Sequence, residues 1–257
     1  MIAVHGESVD IRTPDGVADA YVTYPDDGAA HPAVLVYPDA FGLRPSLRAL
    51  ADRIAEHGYT VLVPNLFYRG GRAPVFDLPD FIDMTSRPDL FGQIRPLMQQ
   101  LTPEVVKSDA GAYLAWLAAF DKAADGPVGL TGYCMGGRLV VQTAAAYPDR
   151  VAAGAGFHTG RLVTDGPDSL HNAVDTITAE LYFGHADNDQ SMTPEQIETF
   201  SKALDAAGVR HTTEVYKDAV HGYTQADTGA YNEEAAERHY RELLALYDRT
   251  IGRQSKS

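Results

Sequence analysis

Residues 127–140, Pro-Val-Gly-Leu-Thr-Gly-Tyr-Cys-Met-Gly-Gly-Arg-Leu-Val, constrain the fold more than any other stretch. They read as a buried strand, a cramped turn and a helix in immediate succession. Cys134 occupies the turn, with Gly132 two residues before it and Gly136 two residues after. A residue held on strained backbone between a strand end and a helix start leaves no room for side chains at those two positions. Glycine at both is therefore the steric signature of a nucleophile elbow, here with sulfur in place of the usual hydroxyl. Gly137 widens the same gap. The Cys134 side chain is then presented over the sheet edge, while the N–H of Met135 and the positive end of the helix face any oxyanion formed beside it.

A strand that feeds a helix this tightly belongs to a parallel sheet, so further strand–helix pairs are expected along the chain. Ala33–Tyr37 is a short apolar strand, followed by the loop 38–45 and a helix on which Leu47, Leu50, Ala51 and Ile54 recur at helical spacing, with Gly58 closing it. Thr60–Pro64 is the next apolar strand, Val151–Phe157 a strand of small residues, and Glu180–Phe183 and Thr212–Tyr216 two more. Thr193-Pro194-Glu195-Gln196 combines an N-cap, a first-turn proline and a capping-box glutamine, which predicts a helix from about Pro194. Ala236, Tyr240, Leu243, Leu244 and Tyr247 mark a closing amphipathic helix. Before all of this, residues 4–12 and 17–24 alternate around the turn Pro14-Asp15-Gly16, as an antiparallel hairpin does. The expected fold class is thus α/β: a mostly parallel central sheet with helices on both faces and an N-terminal antiparallel hairpin, in one domain spanning 1–257.

One segment breaks the rhythm. Between about 65 and 102, Gly70, Gly71, Pro74, Pro79, Pro88 and Pro96 interrupt any long regular element, and an excursion of this length inside a compact domain reads as a lid or binding insert. Order resumes at Thr102-Pro103-Glu104 with a helix whose Tyr113, Trp116, Leu117 and Phe120 line one face, as core residues do.

In an open parallel sheet the reactive groups gather at the carboxyl ends of the strands. Cys134, Asp187 and His221 lie at three such ends, in the chain order nucleophile, acid, histidine of an α/β-hydrolase triad. The histidine would take the thiol proton and later protonate the leaving group, and the carboxylate would fix its tautomer. Asp189 stands two residues from Asp187, and the Gly184-x-x-Asp187 spacing favours Asp187. Asp187-Asn-Asp189-Gln-Ser191 also imitates the start of a calcium loop, but Met192 stands where the sharp turn needs glycine and a strand precedes it, so no metal is expected.

Composition bears on partners. Thirty-five acidic against 21 basic residues give a net charge of −14, which argues against nucleic acid and against an anionic membrane as partners. A single cysteine excludes an intrachain disulfide framework and suits a reducing cytosol. The first residues lack the basic and apolar regions of a signal peptide, and a cytoplasmic protein is expected.

Taken together, Tyr37-Pro-Asp39-Ala-Phe-Gly-Leu43, Ala51–Tyr59, Val63–Phe67, the elbow Gly132-Tyr-Cys-Met-Gly-Gly137, Phe183-Gly-His-Ala-Asp187 and Val220-His221-Gly222 resemble the dienelactone hydrolase family of α/β-hydrolases. The resemblance runs from about Pro32 to about Thr224, and the cysteine elbow with its double glycine is its most diagnostic piece. It implies an α/β-hydrolase fold and a Cys134–His221–Asp187 triad. It also implies an oxyanion hole from the backbone N–H groups of Met135 and Ala40, and substrate contacts from Asp39 and Phe41. No cofactor is implied, and the substrate would be a small ester or lactone, processed by a monomer or small homo-oligomer through a thioester acyl-enzyme. The alternative is a noncatalytic or sensor protein of the same fold that binds such a ligand.

Two positions depart from the family pattern. Family enzymes carry a glutamate before the first oxyanion-hole residue, where this chain has the shorter Asp39. They also carry an arginine four residues after the catalytic histidine, which pairs with that glutamate and helps to hold the substrate carboxylate; here that position is Gln225. A second family arginine comes from the excursion, which here offers Arg69, Arg72, Arg87 and Arg95.

Overall fold

A computed structural model of the chain describes residues 2–83 and 89–252. Eight strands form one sheet in the order β1-β2-β4-β3-β5-β6-β7-β8. The hairpin β1 (Val4–Thr13) and β2 (Gly16–Pro25) is antiparallel, as its alternation predicts, and β2 also runs antiparallel to β4 (Thr60–Pro64). From β4 across β3 (Ala33–Tyr37), β5 (Val128–Tyr133), β6 (Val151–Phe157), β7 (Glu180–Ala186) and β8 (His211–Tyr216) every pairing is parallel.

The central strands are buried on both faces, which is why they read as continuous apolar runs. Alternate residues of β3 go to opposite cores. Ala33, Leu35 and Tyr37 pack with the helices α3 (Pro103–Ala119), α4 (Met135–Ala146) and α5 (Pro194–Ala206), whereas Val34 and Val36 pack with α1 (Pro45–Ala55) and α6 (Glu233–Thr250). The capping box written at Thr193 and Gln196 is formed and starts α5 at Pro194. On α3, Tyr113 and Leu117 are buried, while Trp116 and Phe120, which caps the helix, are half-buried and stack at 4.7 Å.

The excursion is more regular than its glycines and prolines predict. It contains α2 (Leu90–Gln99), which runs through Pro96. Burial of Leu90 and Ile94 on one side of this helix supplies the packing that offsets the proline. Arg87 and Pro88 lie outside the described residues. Among the described residues, no helix is long and apolar enough to cross a membrane.

Candidate active site

The carboxyl ends of β3, β5, β7 and β8 carry the candidate groups to one place. Cys134 follows β5 directly and adopts φ 54°, ψ −117°, the strained backbone expected of an elbow. The flanking glycines are required there. A Cβ on Gly132 would collide with the carbonyl oxygen of Gly136, and one on Gly136 would lie against Tyr37 O and 2.6 Å from Pro38 O, all of them backbone atoms that cannot turn aside. A Cβ on Gly137 would meet the Thr159 hydroxyl.

His221 lies beyond β8 with its Nε2 3.1 Å from Cys134 Sγ and its Nδ1 2.6 Å from a carboxylate oxygen. That carboxylate belongs to Asp189, which corrects the expectation of Asp187. The reason is where β7 stops. The strand runs on to Ala186, so Asp187 takes the first position of the following turn, its N–H donating to Ala219 O and its carboxylate accepting from Asp218 N at 3.0 Å. Asn188 then adopts φ 54°, a conformation asparagine tolerates, and the chain reverses so that Asp189 faces the imidazole. Ser191 locks that carboxylate from behind, donating to Oδ1 from its N at 2.8 Å and from its hydroxyl at 2.7 Å. The short Asp-x-Ser turn was the one local signal that could have singled out Asp189.

The electrostatics follow the geometry. Burial by itself pulls the His221 imidazolium down, but the bonds to Asp189 and Cys134 outweigh it and hold the ring up to about 10. Burial pushes the Asp189 carboxyl up, and its bond to His221 together with those from Ser191 brings it down to about 2. Behind His221, His158 is fully buried, packs edge-on against its ring at 5.3 Å and bonds Thr224 Oγ1 through Nε2 at 2.7 Å. Burial and the neighbouring His221 drive His158 well below the ordinary histidine value, so it is a neutral wall beside a charged ring.

Cys134 and His221 open into a cavity of about 320 Å³ that Ala40 lines on the β3 side. Phe41, Phe81, Ile82 and Phe91 make its apolar walls, and Gln225 and Thr228 are among its polar ones. Phe41 and Ala40 line the cavity with Cys134, and Met135 opens α4 directly after the sulfur-bearing residue. Asp39, by contrast, is 1% exposed, lies outside the cavity lining, and its carboxylate accepts from Phe41 N, Arg44 and Gln225 Nε2. With both carboxylate oxygens engaged in this way, Asp39 is turned into the protein and not toward the cavity, so the direct contact with substrate expected from the resemblance is not what this geometry provides. Of the arginines in the excursion, Arg69 pairs with Asp109 and Asp15, and Arg72 with Asp10. Among the described lining residues there is no lysine or arginine. Likewise, no cluster of three or more potential metal ligands occurs among the described residues.

Comparison with known proteins places the chain in a family and matches its fold. The family model described as "Dienelactone hydrolase family" matches residues 18–251. A "Putative carboxymethylenebutenolidase" of Methylorubrum extorquens is 29% identical over 242 residues, covering 91% of this chain and 78% of that protein. A protein of the same description from Salmonella typhimurium is 29% identical over 266 residues, covering 95% and 92%. Among solved structures, a "Putative Dienelactone Hydrolase" from Klebsiella pneumoniae superposes with a TM-score of 0.82 at 24% identity, covering 95% of this chain and 98% of its own. A dienelactone hydrolase-like promiscuous phosphotriesterase from metagenomic libraries gives 0.81 at 21% identity, covering 97% and 100%.

Proposed function

The chain belongs to the dienelactone hydrolase family, a family of hydrolases acting on small esters and lactones, and we propose that it does so through Cys134, His221 and Asp189. The observation that carries this reading is the unbroken relay of Asp189 Oδ2, His221 and Cys134 Sγ, with separations of 2.6 and 3.1 Å, at the mouth of an apolar cavity.

With Nδ1–H donating to Asp189 and the imidazolium favoured by both of its partners, the Nε2 of His221 already holds the proton of the thiol, and the thiolate attacks the carbonyl carbon of the substrate. The negative charge that moves onto the carbonyl oxygen is met by the N–H groups of Met135 and Ala40. As the tetrahedral intermediate collapses, the carbon–oxygen bond to the leaving group breaks and His221 returns its proton to that alkoxide, which stays tethered if the substrate is a lactone. A thioester on Cys134 remains. Water, deprotonated by the His221 ring that has given up its proton, then attacks the thioester, and collapse releases the acid and returns Cys134 and the protonated His221 to their starting pair.

The test is steady-state hydrolysis of a short-chain nitrophenyl ester and of a dienelactone by wild type, Cys134→Ala and His221→Ala, with mass spectrometry of the intact protein under rapid quench. The expected result is turnover by wild type alone and a transient acyl adduct on the single cysteine. A Cys134→Ala protein as active as wild type would end this reading, and an adduct that forms but never releases product would support a binding or sensing role instead.

A further inference from the structure

Beside Asp39, the family pattern places a guanidinium at the position of Gln225, and this chain brings one from elsewhere. Arg44, five residues after Asp39, reaches back to it with Nη1 at 2.8 Å and Nη2 at 3.0 Å. The same side chain binds Asp227 with Nε at 2.6 Å and Nη2 at 3.0 Å, and Nη1 also approaches Gly42 O at 3.3 Å. All three nitrogens are therefore engaged, and the Arg44 side chain is 3% exposed, behind Phe41 and outside the cavity lining. It has nothing to offer a substrate directly.

What it holds is the loop that carries Ala40. Asp39 Oδ1 accepts from Phe41 N at 2.9 Å and Asp39 O accepts from Gly42 N at 3.0 Å, so Ala40 sits in a turn whose closure depends on the orientation of the Asp39 carboxylate. Gly42, at φ 77°, completes that turn. Asp227 extends the same tie to two other parts of the site. It belongs to the loop that follows His221, it accepts from Ser46 Oγ at 2.9 Å, and its carbonyl accepts from Ile82 N at 2.8 Å, which fixes one wall of the cavity. Gln225, on the same loop, adds a bond to Asp39 Oδ2 at 2.8 Å. One buried guanidinium thus joins the oxyanion loop, the histidine loop and the excursion. A planar fork with donors on three nitrogens suits this, because it fixes two carboxylates in angle as well as distance.

We propose that Arg44 is a positioning residue for the oxyanion donor on Ala40, setting the direction of that N–H through Asp39 and registering it against the His221 loop through Asp227. This inference rests on the hydrolase reading of the site. It separates two halves of what the family arginine does: the pairing with the acid at position 39 is kept, through a different residue, while Arg44 makes no contact with the substrate's own charge.

Acyl transfer needs the oxyanion donor, whereas alkylation of Cys134 by iodoacetamide needs the thiolate and no oxyanion. The experiment compares both reactions in wild type, Arg44→Lys and, as a milder change that keeps Arg44 paired with Asp39, Asp227→Asn. Thermal melts confirm that each protein is folded. For Arg44→Lys the expected result is a fall in kcat on a nitrophenyl ester of about 10- to 100-fold with KM within about 3-fold, the range of losing one preorganised donor in part. Iodoacetamide should alkylate Cys134 at a rate within about 2-fold of wild type, and a neutral and a carboxylate-bearing ester should lose rate equally. Asp227→Asn should show the same split at about 3- to 10-fold. The proposal is overturned if kcat is unchanged in Arg44→Lys, if alkylation falls in parallel with hydrolysis, or if the loss is confined to the carboxylate-bearing ester. Absence of turnover in wild type, with Cys134 still alkylated, would overturn the hydrolase reading itself and is recognisable without any variant.

Discussion

Replacing Asp189 with asparagine tests which of two nearby carboxylates serves His221. The Asp189 side chain is 5% exposed and lies 2.6 Å from Nδ1, a charge-assisted bond of a kind worth about 1.5–3 kcal/mol. At about 1.4 kcal/mol for each factor of ten, its loss alone slows the reaction by roughly 10- to 150-fold. Asparagine adds a second penalty. Its amide N–H₂ turned toward Nδ1 makes that nitrogen the acceptor and leaves the ring proton on Nε2, which can then no longer take the proton of the thiol. In a serine triad the same exchange costs about 10,000-fold. A thiol ionises more readily than a hydroxyl, so the fall expected here in kcat/KM is roughly 100- to 1,000-fold. For Asp187→Asn the expectation is different. The bond Asp187 accepts from Asp218 N at 3.0 Å can be accepted equally by an amide oxygen, and the change should stay below about 2-fold. Both variants are assayed on a nitrophenyl ester alongside thermal melts. If Asp187→Asn loses as much rate as Asp189→Asn, or more, with both proteins folded, the assignment from geometry is wrong.

Because the partners of His221 hold its imidazolium up to about 10, the ring stays protonated through neutral pH and loses its proton only near that value. The rate of alkylation of Cys134 by iodoacetamide should therefore change near pH 10, where the positive charge beside the sulfur is lost, and in Asp189→Asn that inflection should move down toward the ordinary histidine value of about 6.5; an inflection unmoved by the variant refutes the coupling. The apolar walls of Phe41, Phe81, Ile82 and Phe91, with Arg44 fully engaged behind them, favour an uncharged ester over a dienelactone bearing a carboxylate. A kcat/KM ratio of at least about 10 is expected, and equal or inverted rates would show that a cation reaches the substrate. Gly136→Ala would set a Cβ against the carbonyls of Tyr37 and Pro38, forcing α4 from β3. About 3 kcal/mol of overpacking lowers the melting temperature by roughly 6–12 °C in a domain of this size; a melt within about 2 °C of wild type would show that the helix start has room.

How much of this could be read without coordinates depends on how local each signal is. The elbow is local. Strand, turn and helix are written in consecutive residues, and glycine at 132 and 136 answers to contacts within the same turn and with the neighbouring strand, so Cys134 was legible at once. The alternation of apolar strands with capped helices was legible for the same reason, and so was His221, placed by its position after the last strand. Even α5 could be started at the right residue, because its cap and its capping glutamine lie three residues apart. The excursion was less legible, since the packing that lets α2 run through Pro96 comes from outside the segment.

The residues that only tertiary structure decided are those whose partners lie far along the chain or whose orientation depends on where an element stops. Spacing from Gly184 points to Asp187, but three further residues of β7 and the reversal at Asn188 turn Asp189 to His221 instead. A change of one or two residues in where a strand ends rotates which side chain faces the site, and no sequence period records that. Arg44 is a stronger case. Its pairing with Asp227 spans 183 residues, and read locally it is one arginine before a proline at the start of a helix. The amino-acid sequence by itself determined the sheet and the placing of Cys134 and His221 at strand ends, because those rest on steric and hydrophobic patterns within a few residues. Which carboxylate meets His221, and the buried guanidinium behind the Ala40 loop, were decided by the folded chain, because a charge can be kept out of water only where its partners converge, and that convergence exists only in three dimensions.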